Sequence, residues 1–174
     1  MPDSLDITVR TMQLDDLEQV LVIDKLSFSQ PWPASSFKFE LNENASSLCH
    51  VADLVVAEGK RQLVGMSVVW MIVDEAHIAT IAVHPDYRRR GVARKLLKEA
   101  LRASIERGAL SATLEVRATN EAAQSLYRDF GFDVIGRRPG YYKNNAEDAL
   151  LMSVYDLDQD YLDWMEDEQD TQPE

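Results

Sequence analysis

The fold is decided by the stretch Ile81-Ala82-Val83-His84-Pro85-Asp86-Tyr87-Arg88-Arg89-Arg90-Gly91-Val92-Ala93-Arg94. An apolar strand ends near Val83, a polar loop turns at Gly91, and a helix begins at once. The first turn of a helix carries unpaired N–H groups and about half a positive charge, which makes it a natural phosphate site. The stretch therefore predicts a diphosphate bound to the amides of Arg89 to Arg94, the alternative being a plain helix start with solvated arginines.

Other phosphate-binding loops are not found in this chain. It contains no Gly-x-x-x-x-Gly-Lys-Ser/Thr and no Gly-x-Gly-x-x-Gly, which argues against a P-loop NTPase and a dinucleotide-binding enzyme. The net charge is −12, yet one segment is strongly basic, with Arg88, Arg89, Arg90, Arg94, Lys95, Lys98, Arg102 and Arg107. Such local charge suits a polyanionic ligand of modest size, because a nucleic-acid binder usually has a basic domain overall. RNA binding through this helix is the alternative.

Hydrophobic periodicity and turn residues predict the other elements. Strands are expected at 7–10, 49–58, 63–73, 77–83, 111–117, 133–137 and 149–155. Helices are expected from Asp15 or Asp16 to Phe28, from Pro33 over Phe37 and Leu41, from Val92 to Arg107, and from an Asn120 cap to Phe130. This order predicts an α+β fold: a mostly antiparallel, twisted mixed sheet of about six or seven strands flanked by about four helices.

The 174 residues fit one domain, predicted at 1–155, followed by an acidic tail at 156–174. The tail has no Lys or Arg and nine acids: Asp156, Asp158, Asp160, Asp163, Glu166, Asp167, Glu168, Asp170 and Glu174. Such composition predicts a solvated, partly disordered extension. The alternative is that Tyr161, Leu162 and Trp164 dock on the domain or on a basic partner.

Several classes of protein are disfavoured by composition. Cys49 is the only cysteine, so no intramolecular disulfide forms, and three scattered histidines favour no metal site. The longest mostly apolar run, 63–73, is too short to cross a bilayer, which takes about 20 residues. The first residues carry acid and no apolar core of a signal peptide. We therefore expect a cytoplasmic protein without membrane contact.

Two motifs give the chain a family resemblance. The sequence Val83-His84-Pro85-Asp86-Tyr87-Arg88 leads into Arg88-x-x-Gly91-x-Ala93, and Asn120-x-x-Ala123-x-x-Leu126-Tyr127-x-x-Phe130-Gly131-Phe132 follows. Over residues 5–155 the chain resembles the GNAT acetyltransferases, which move an acetyl group from acetyl-CoA to an amine without a metal. The resemblance implies an acetyl-CoA site formed by Ile81, Ala82, Val83, Arg89, Arg90, Gly91, Val92, Ala93, Arg94 and Asn120.

Finer features are similar to the ribosomal-protein alanine acetyltransferases, the RimI-type branch. They are Phe28-Ser29-Gln30-Pro31-Trp32, Leu114-Glu115-Val116-Arg117-Ala118-Thr119-Asn120, and Arg137-Arg138-Pro139-Gly140-Tyr141-Tyr142 followed by Glu147-Asp148-Ala149-Leu150-Leu151-Met152. This implies that the substrate is a protein N-terminal α-amine, that of a small-subunit ribosomal protein. The chain departs from the branch at 143–146, where an Asp-Gly turn is usual, and at Ala93, which replaces a common glycine. Alternatives are acetylation of lysine side chains or small amines, and a non-catalytic acyl-CoA-binding module.

Amine acetylation needs a base for the nucleophile and an acid for the leaving thiolate. Glu115 is the candidate base because Thr113, Glu115 and Arg117 share one face of a strand; pairing of Glu115 with Arg117 or another cation is the alternative. The resemblance favours the catalytic role. Tyr127 is the candidate acid, the alternative being a core tyrosine, and the amide of Val83 is a candidate oxyanion donor.

Three aromatic residues are candidates for the peptide-binding groove. Tyr141 and Tyr142 follow Gly140 in a loop that is expected to line the peptide entrance, with one of the two packing inside. Trp32 is either a wall of this groove or a core residue at the break between the first two helices.

Overall fold

The computed structural model describes residues 6–169, which form one seven-stranded sheet with helices on both faces. The strand order is β1-β2-β3-β4-β5-β7-β6. Neighbouring strands are antiparallel except β4 and β5, which are parallel. The strands are β1 Ile7–Thr11, β2 Ser47–Val55, β3 Arg61–Ile72, β4 Glu75–Val83, β5 Ser111–Arg117, β6 Asp133–Arg138 and β7 Ala149–Val154. The helices are α1 Leu17–Ser27, α2 Ala34–Asn42, α3 Val92–Glu106, α4 Glu121–Asp129 and α5 Gln159–Gln169.

The predicted α+β mixed sheet is confirmed, and the local differences have physical reasons. The strand expected at 49–58 ends at Val55, because Glu58 takes a left-handed backbone (φ 61°) within a 3-10 turn. Asp16 stands at the N-cap position of α1, as expected, but its side chain makes no capping hydrogen bond. The carboxylate of Asp16 is instead held by Arg10 at 2.8 Å, and it accepts the amide of Gln13 at 2.7 Å.

The helices divide the core into two layers. Helices α3, α4 and α5 bury Leu97, Tyr127 and Met165 on one face of the sheet. Helices α1 and α2 bury Ile23 and Phe37 on the other face. Since α1 and α2 pack on β2, β3 and β4, the same face of β5, β7 and β6 is open to solvent.

The acidic tail differs from the solvated extension that was predicted. Residues 159–169 form α5, and Leu157 and Met165 are 2% and 0% exposed. The hydroxyl of Tyr161 donates to the carbonyl oxygen of Phe130 at 2.7 Å, while Trp164 is 38% exposed. Up to residue 169, the tail is therefore docked on the domain through its apolar side chains. Residues 170–174 lie outside the described part.

No helix within residues 6–169 has the length and apolar character needed to cross a membrane.

One glycine determines how closely α3 approaches the sheet. A Cβ atom on Gly65 of β3 would lie 2.8 Å from Cδ1 of Leu96 and 2.9 Å from Cγ1 of Val92. It would also lie 3.1 Å from the carbonyl oxygen of Ala82 on β4. The first turn of α3 can therefore lie directly on β3 and β4 only because this position has no side chain.

We expect Gly65→Ala to lower the free energy of unfolding by about 1–3 kcal/mol, because the added methyl group overpacks the contact with α3. Gly136→Ala is the matched control, since its Cβ would lie 3.8 Å from the nearest atom, Cβ of Leu151, an ordinary contact. Urea unfolding of the two variants measures the difference. Equal stabilities would show that α3 can move away without cost.

Candidate active site

The predicted phosphate loop forms a helix start with bare amides. Gly91 has φ 78°, in the left-handed region, and α3 begins at the next residue, Val92. The first intrahelical bond runs from the amide of Lys95 to the carbonyl oxygen of Gly91, at 3.1 Å. No side chain caps the helix, so the N–H groups of its first residues, Val92 and Ala93, have no acceptor within the helix.

The arginine side chains of this segment are largely engaged by other groups. The positive potential of the loop therefore comes chiefly from its backbone amides and from the end of the helix. Arg88 donates to the carbonyl oxygen of Val83 at 3.1 Å, and Arg94 pairs with Asp129 at 2.7 Å. The guanidinium of Arg90 lies over the ring of Tyr87, 5.6 Å from its centre. Arg89 differs from these in having a left-handed backbone, with φ 59°.

Strands β4 and β5 separate beside this loop. They pair only from Glu75–Ser111 to His77–Thr113, and β4 then carries a bulge at Ala79, opposite Val68 and Val69. Each strand continues for several residues after the pairing stops. A wedge therefore opens between the second halves of β4 and β5.

The end of β4 presents backbone groups to this wedge. The amide of His84 donates to Val64 on β3 at 2.8 Å. Because backbone direction alternates along an antiparallel strand, Ala82 also points its backbone groups at β3, whereas Ile81 and Val83 point theirs into the wedge. Ala82, included in the predicted site, places its side chain in the core under α1 and α2, 6% exposed.

Asn120 caps α4 as the sequence predicted. Its side-chain oxygen accepts the amide of Ala123 at 3.2 Å, and the residue is exposed at the end of β5. The amide group of Asn120 therefore stands at the start of α4, a few residues beyond Arg117.

Glu115 lies in the middle of β5 and is held by a histidine. Its Oε2 is 2.7 Å from Nε2 of His77 on β4, and its Oε1 is 3.7 Å from Nη2 of Arg138 on β6. The carboxylate side chain is only 13% exposed. The alternative partner, Arg117, pairs instead with Glu147 at 3.1 Å.

His77 and Arg138 are the residues that the sequence did not identify as partners of Glu115. His77 is directly opposite Thr113 in the parallel register, which brings its ring to the face that Glu115 occupies two residues later. The sequence contains no signal for this register, because β4 and β5 are joined by the whole of α3. A polar residue inside an apolar strand was the one available hint.

Tyr127 is a buried phenol close to the site. The residue is 6% exposed, and its ring lies 5.8 Å from that of Phe132, within the core under α4. Burial raises the pKa of Tyr127 well above its ordinary value of 10, with Tyr142 adding to the rise. The hydroxyl is therefore fully protonated at neutral pH.

Tyr141 and Tyr142 meet edge to face at 5.1 Å in the loop between β6 and β7. Burial raises the pKa of Tyr142 to about 12, against the opposing effect of Arg117, whose guanidinium lies 3.9 Å over the ring. Burial also raises the pKa of Tyr141, and Glu115 adds to the rise in both tyrosines. Tyr142 is thus electrostatically coupled to Glu115 and, separately, to the buried Tyr127.

Trp32 is joined to this cluster by a row of rings. It stacks on Trp70 of β3 at 6.0 Å, and Trp70 contacts the ring of His77 at 5.6 Å. The amide of Trp32 donates to the buried carboxylate of Asp24 in α1 at 2.6 Å. Burial raises the pKa of Asp24. Trp32 is thus half-buried and fixed beside the site.

The loop after Tyr142 is tied to β5 by Glu147. This carboxylate accepts the backbone amide of Thr119 at 3.0 Å, its hydroxyl at 2.6 Å, and Arg117 at 3.1 Å. The side-chain oxygens of Asn144 and Asn145 also accept from Arg117. The segment that departs from the expected Asp-Gly turn is therefore held by asparagine contacts to β5.

The described residues contain no cluster of three or more His, Cys, Asp or Glu side chains that could hold a metal ion.

A wedge between parallel strands, a helix start with bare amides and a buried carboxylate together define a transferase site for a phosphate-containing donor. The model of the Acetyltransferase (GNAT) family matches residues 17–132, and the chain belongs to this family. It is an acetyltransferase that uses acetyl-CoA.

The similar proteins include named N-terminal acetyltransferases. A protein of Bacillus subtilis (strain 168), provisionally named ribosomal protein bS18-alanine N-acetyltransferase, is 39% identical over 84% of this chain and 93% of its own length. The N-alpha-acetyltransferase RimI of Mycobacterium tuberculosis is 33% identical over 86% of this chain and 93% of its own. The crystal structure of the ribosomal-protein-S18-alanine N-acetyltransferase from Escherichia coli has a TM-score of 0.73 at 30% identity, covering 86% of this chain and 94% of that one.

We expect the stability that Glu147 contributes to depend on pH. Hydrogen bonds from the hydroxyl and amide of Thr119 lower the pKa of Glu147 from 4.5 to about 2. A depressed carboxyl pKa stabilises the fold above the unfolded-state value and loses this effect as pH falls toward the folded value. The stability advantage of the wild type over Glu147→Gln should therefore be constant from pH 7 to about 5 and shrink below about 4.5.

Urea midpoints of both proteins measured from pH 7 to pH 3.5 test this expectation. Glu106→Gln, on the exposed face of α3, is the control, because it also removes one carboxylate but loses only a solvent-exposed ion pair with Arg102 at 3.4 Å. An advantage for the wild type that is still undiminished at pH 3.5 would contradict the assignment.

Proposed function

We propose that this acetyltransferase acts on the α-amine of a protein N-terminus, and that the N-terminal alanine of ribosomal protein bS18 is its substrate. The observation that carries the proposal is the Glu115 carboxylate, held 2.7 Å from His77 where β4 and β5 separate. The names of the relatives from Bacillus subtilis and Escherichia coli support the substrate. A ribosomal-protein substrate would place the enzyme in the cytoplasm.

The residues present fit a CoA thioester. The amides at the start of α3, with Gly91 at the turn before them, would hold the diphosphate, and the side chains of Arg89 and Arg90 add positive charge. The backbone groups of Ile81 and Val83 offer a strand edge to the amide-containing arm, and Asn120 lies on the other side of the wedge. When bound, acetyl-CoA supplies an acetyl group activated as a thioester.

Glu115 acts as the general base. An α-amine has a pKa of about 7.7–8.0, so most of it is protonated near neutral pH and cannot attack. Glu115 takes a proton from this amine, directly or through one water, and His77 holds the carboxylate in place. A positioned base typically contributes about 10²–10⁴-fold to the rate.

Tyr127 acts as the general acid. Burial raises the pKa of Tyr127, so its hydroxyl is protonated and can donate to the sulfur as negative charge develops there. The amide of Val83, which points into the wedge, donates to the carbonyl oxygen as negative charge develops there.

The substrate polypeptide enters between two fixed aromatic walls. Trp32 forms one wall, and Tyr141 and Tyr142 form the other. Arg117 and Glu147 hold the second wall against β5, so the amine meets Glu115 in a preformed opening. The proposed partner is therefore a protein chain terminus.

Glu115→Gln should reduce kcat by about 10²–10⁴-fold, because the amide keeps the shape but cannot accept the proton. The affinity for CoA, measured by calorimetry, should stay within about twofold, since CoA contacts lie on β4 and α3. Glu106→Gln at the far end of α3 is the control for the loss of one acidic side chain. Undiminished turnover in Glu115→Gln would remove Glu115 from this role.

A panel of acceptors tests the substrate class. We expect acetylation of peptides that begin with the bS18 N-terminus, and none of the same peptides with a blocked α-amine, of internal-lysine peptides or of polyamines. Mass spectrometry locates the acetyl group. Preference for lysine side chains or small amines would favour the alternative acceptors, and CoA binding without transfer to any amine would favour a non-catalytic module.

A further inference from the structure

The open face of the sheet carries a cleft that begins at Glu115. Its volume is about 280 Å³, and it lies on the strands β3 to β7. None of its lining residues belongs to the loop around Gly91. The cleft is lined by Ile72, Glu75, His77, Thr113, Glu115, Ile135, Arg138, Leu151, Ser153 and Tyr155. This is the face of β5, β7 and β6 that α1 and α2 leave uncovered.

The floor and the walls of the cleft differ in chemistry. On the floor, the hydroxyl of Ser153 donates to that of Thr113 at 2.9 Å, next to the pair of His77 and Glu115. The walls are large apolar side chains that stand exposed. Ile72 is 53%, Ile135 49% and Tyr155 58% exposed. Exposed apolar groups around a polar floor are typical of a binding groove.

The register gives the cleft a length and a direction. Glu115 is opposite Leu151 on β7, Thr113 is opposite Ser153, and Glu75 is opposite Ser111 on β5. At about 3.3 Å per residue, the level of Glu75 lies about 13 Å below that of Glu115. An extended polypeptide covers the same distance in about four residues.

We propose that this cleft binds the residues that follow the acetylated N-terminus, so that the substrate runs as an extended segment from Glu115 toward Glu75. The proposal rests on the proposed function, because it takes the amine to lie at Glu115. The occupant is the acceptor protein's own N-terminal segment, since the cleft is continuous with the site where that terminus reacts.

The lining selects side chains at particular positions. Leu151 is opposite Glu115, and Ile135 lies in the register shift between Val134 and Gly136, just below that level. An apolar side chain at the second or third position of the peptide can therefore contact both. At the level of Ser111, Glu75 is paired with Ile72 on β3, and both line the cleft together with Tyr155. A lysine or arginine at about the fifth position can lay its apolar stem on these side chains and place its charge at Glu75. The substrate class is thus an N-terminus with a basic residue a few positions behind the amine.

A matched pair on β6 tests the apolar wall. Ile135 lines the cleft, whereas its neighbour Val134 is similarly exposed (43%) and does not line it. For five-residue acceptor peptides with an apolar third residue, Ile135→Ser should raise KM by up to about tenfold, as expected for the loss of one buried apolar side chain. The rate with an alanine dipeptide should be unchanged, and Val134→Ser should change neither. Equal effects of the two substitutions on the five-residue peptide would overturn the proposal.

A charge swap tests the lower end of the cleft. Two peptides that differ only by Lys or Glu at the fifth position should differ up to about fivefold in KM with the wild type, and added salt should reduce the difference. Glu75→Lys should reverse the preference and leave dipeptide turnover unchanged. An unchanged preference for Lys would overturn the proposal, even if Ile135→Ser were unstable.

The outcomes separate the two proposals. Acetylation of N-terminal peptides without any dependence on length or on the fifth residue would leave the proposed function standing and remove the cleft from it. If no N-terminal peptide of any length were acetylated, both proposals would be overturned.

Discussion

The parallel pairing of β4 and β5 lasts for only three residue pairs and stops at His77 and Thr113. A sheet that separates inside a domain leaves backbone N–H and C=O groups without partners, which is costly unless a ligand or side chain supplies them. Here the carbonyl oxygen of Val83 accepts from Arg88. The same separation allows Glu115 to be reached from the opposite face of the sheet. The donor and the acceptor of the acetyl group can therefore approach from two sides of one wedge.

Local sequence signals predicted the donor side of this arrangement. Gly91 could be recognised because a left-handed residue directly before a helix favours glycine, and the alternation along Ser111–Arg117 correctly put Glu115 on the face away from Leu114. These features depend on residues close together in the chain. The roles assigned to Glu115 and Tyr127 are predictions of a different kind, since they came from the family resemblance.

Contacts between distant segments could not be read from the sequence. The approach of His77 to Glu115 spans 38 positions, and it depends on the length of α3 and on the bulge at Ala79. The acidic tail was misjudged for the opposite reason. Charge dominates the composition of 156–174, yet Tyr161 and Met165, four residues apart, share one face of α5 and dock on the core. A small number of apolar residues at helical spacing outweighed many solvated acids.

The two faces of the sheet place different demands on the helices. On the face of α3, Gly65 allows the helix to lie directly on β3 and β4, so the bare amides after Gly91 are fixed relative to the wedge. On the other face, a third helix over β5, β7 and β6 would bury more apolar surface and would also block access to Glu115. The exposed side chains of Ile135 and Tyr155 are the consequence. An open sheet face beside a buried carboxylate loses some burial of apolar surface, and in exchange it leaves room for the polypeptide acceptor that we propose.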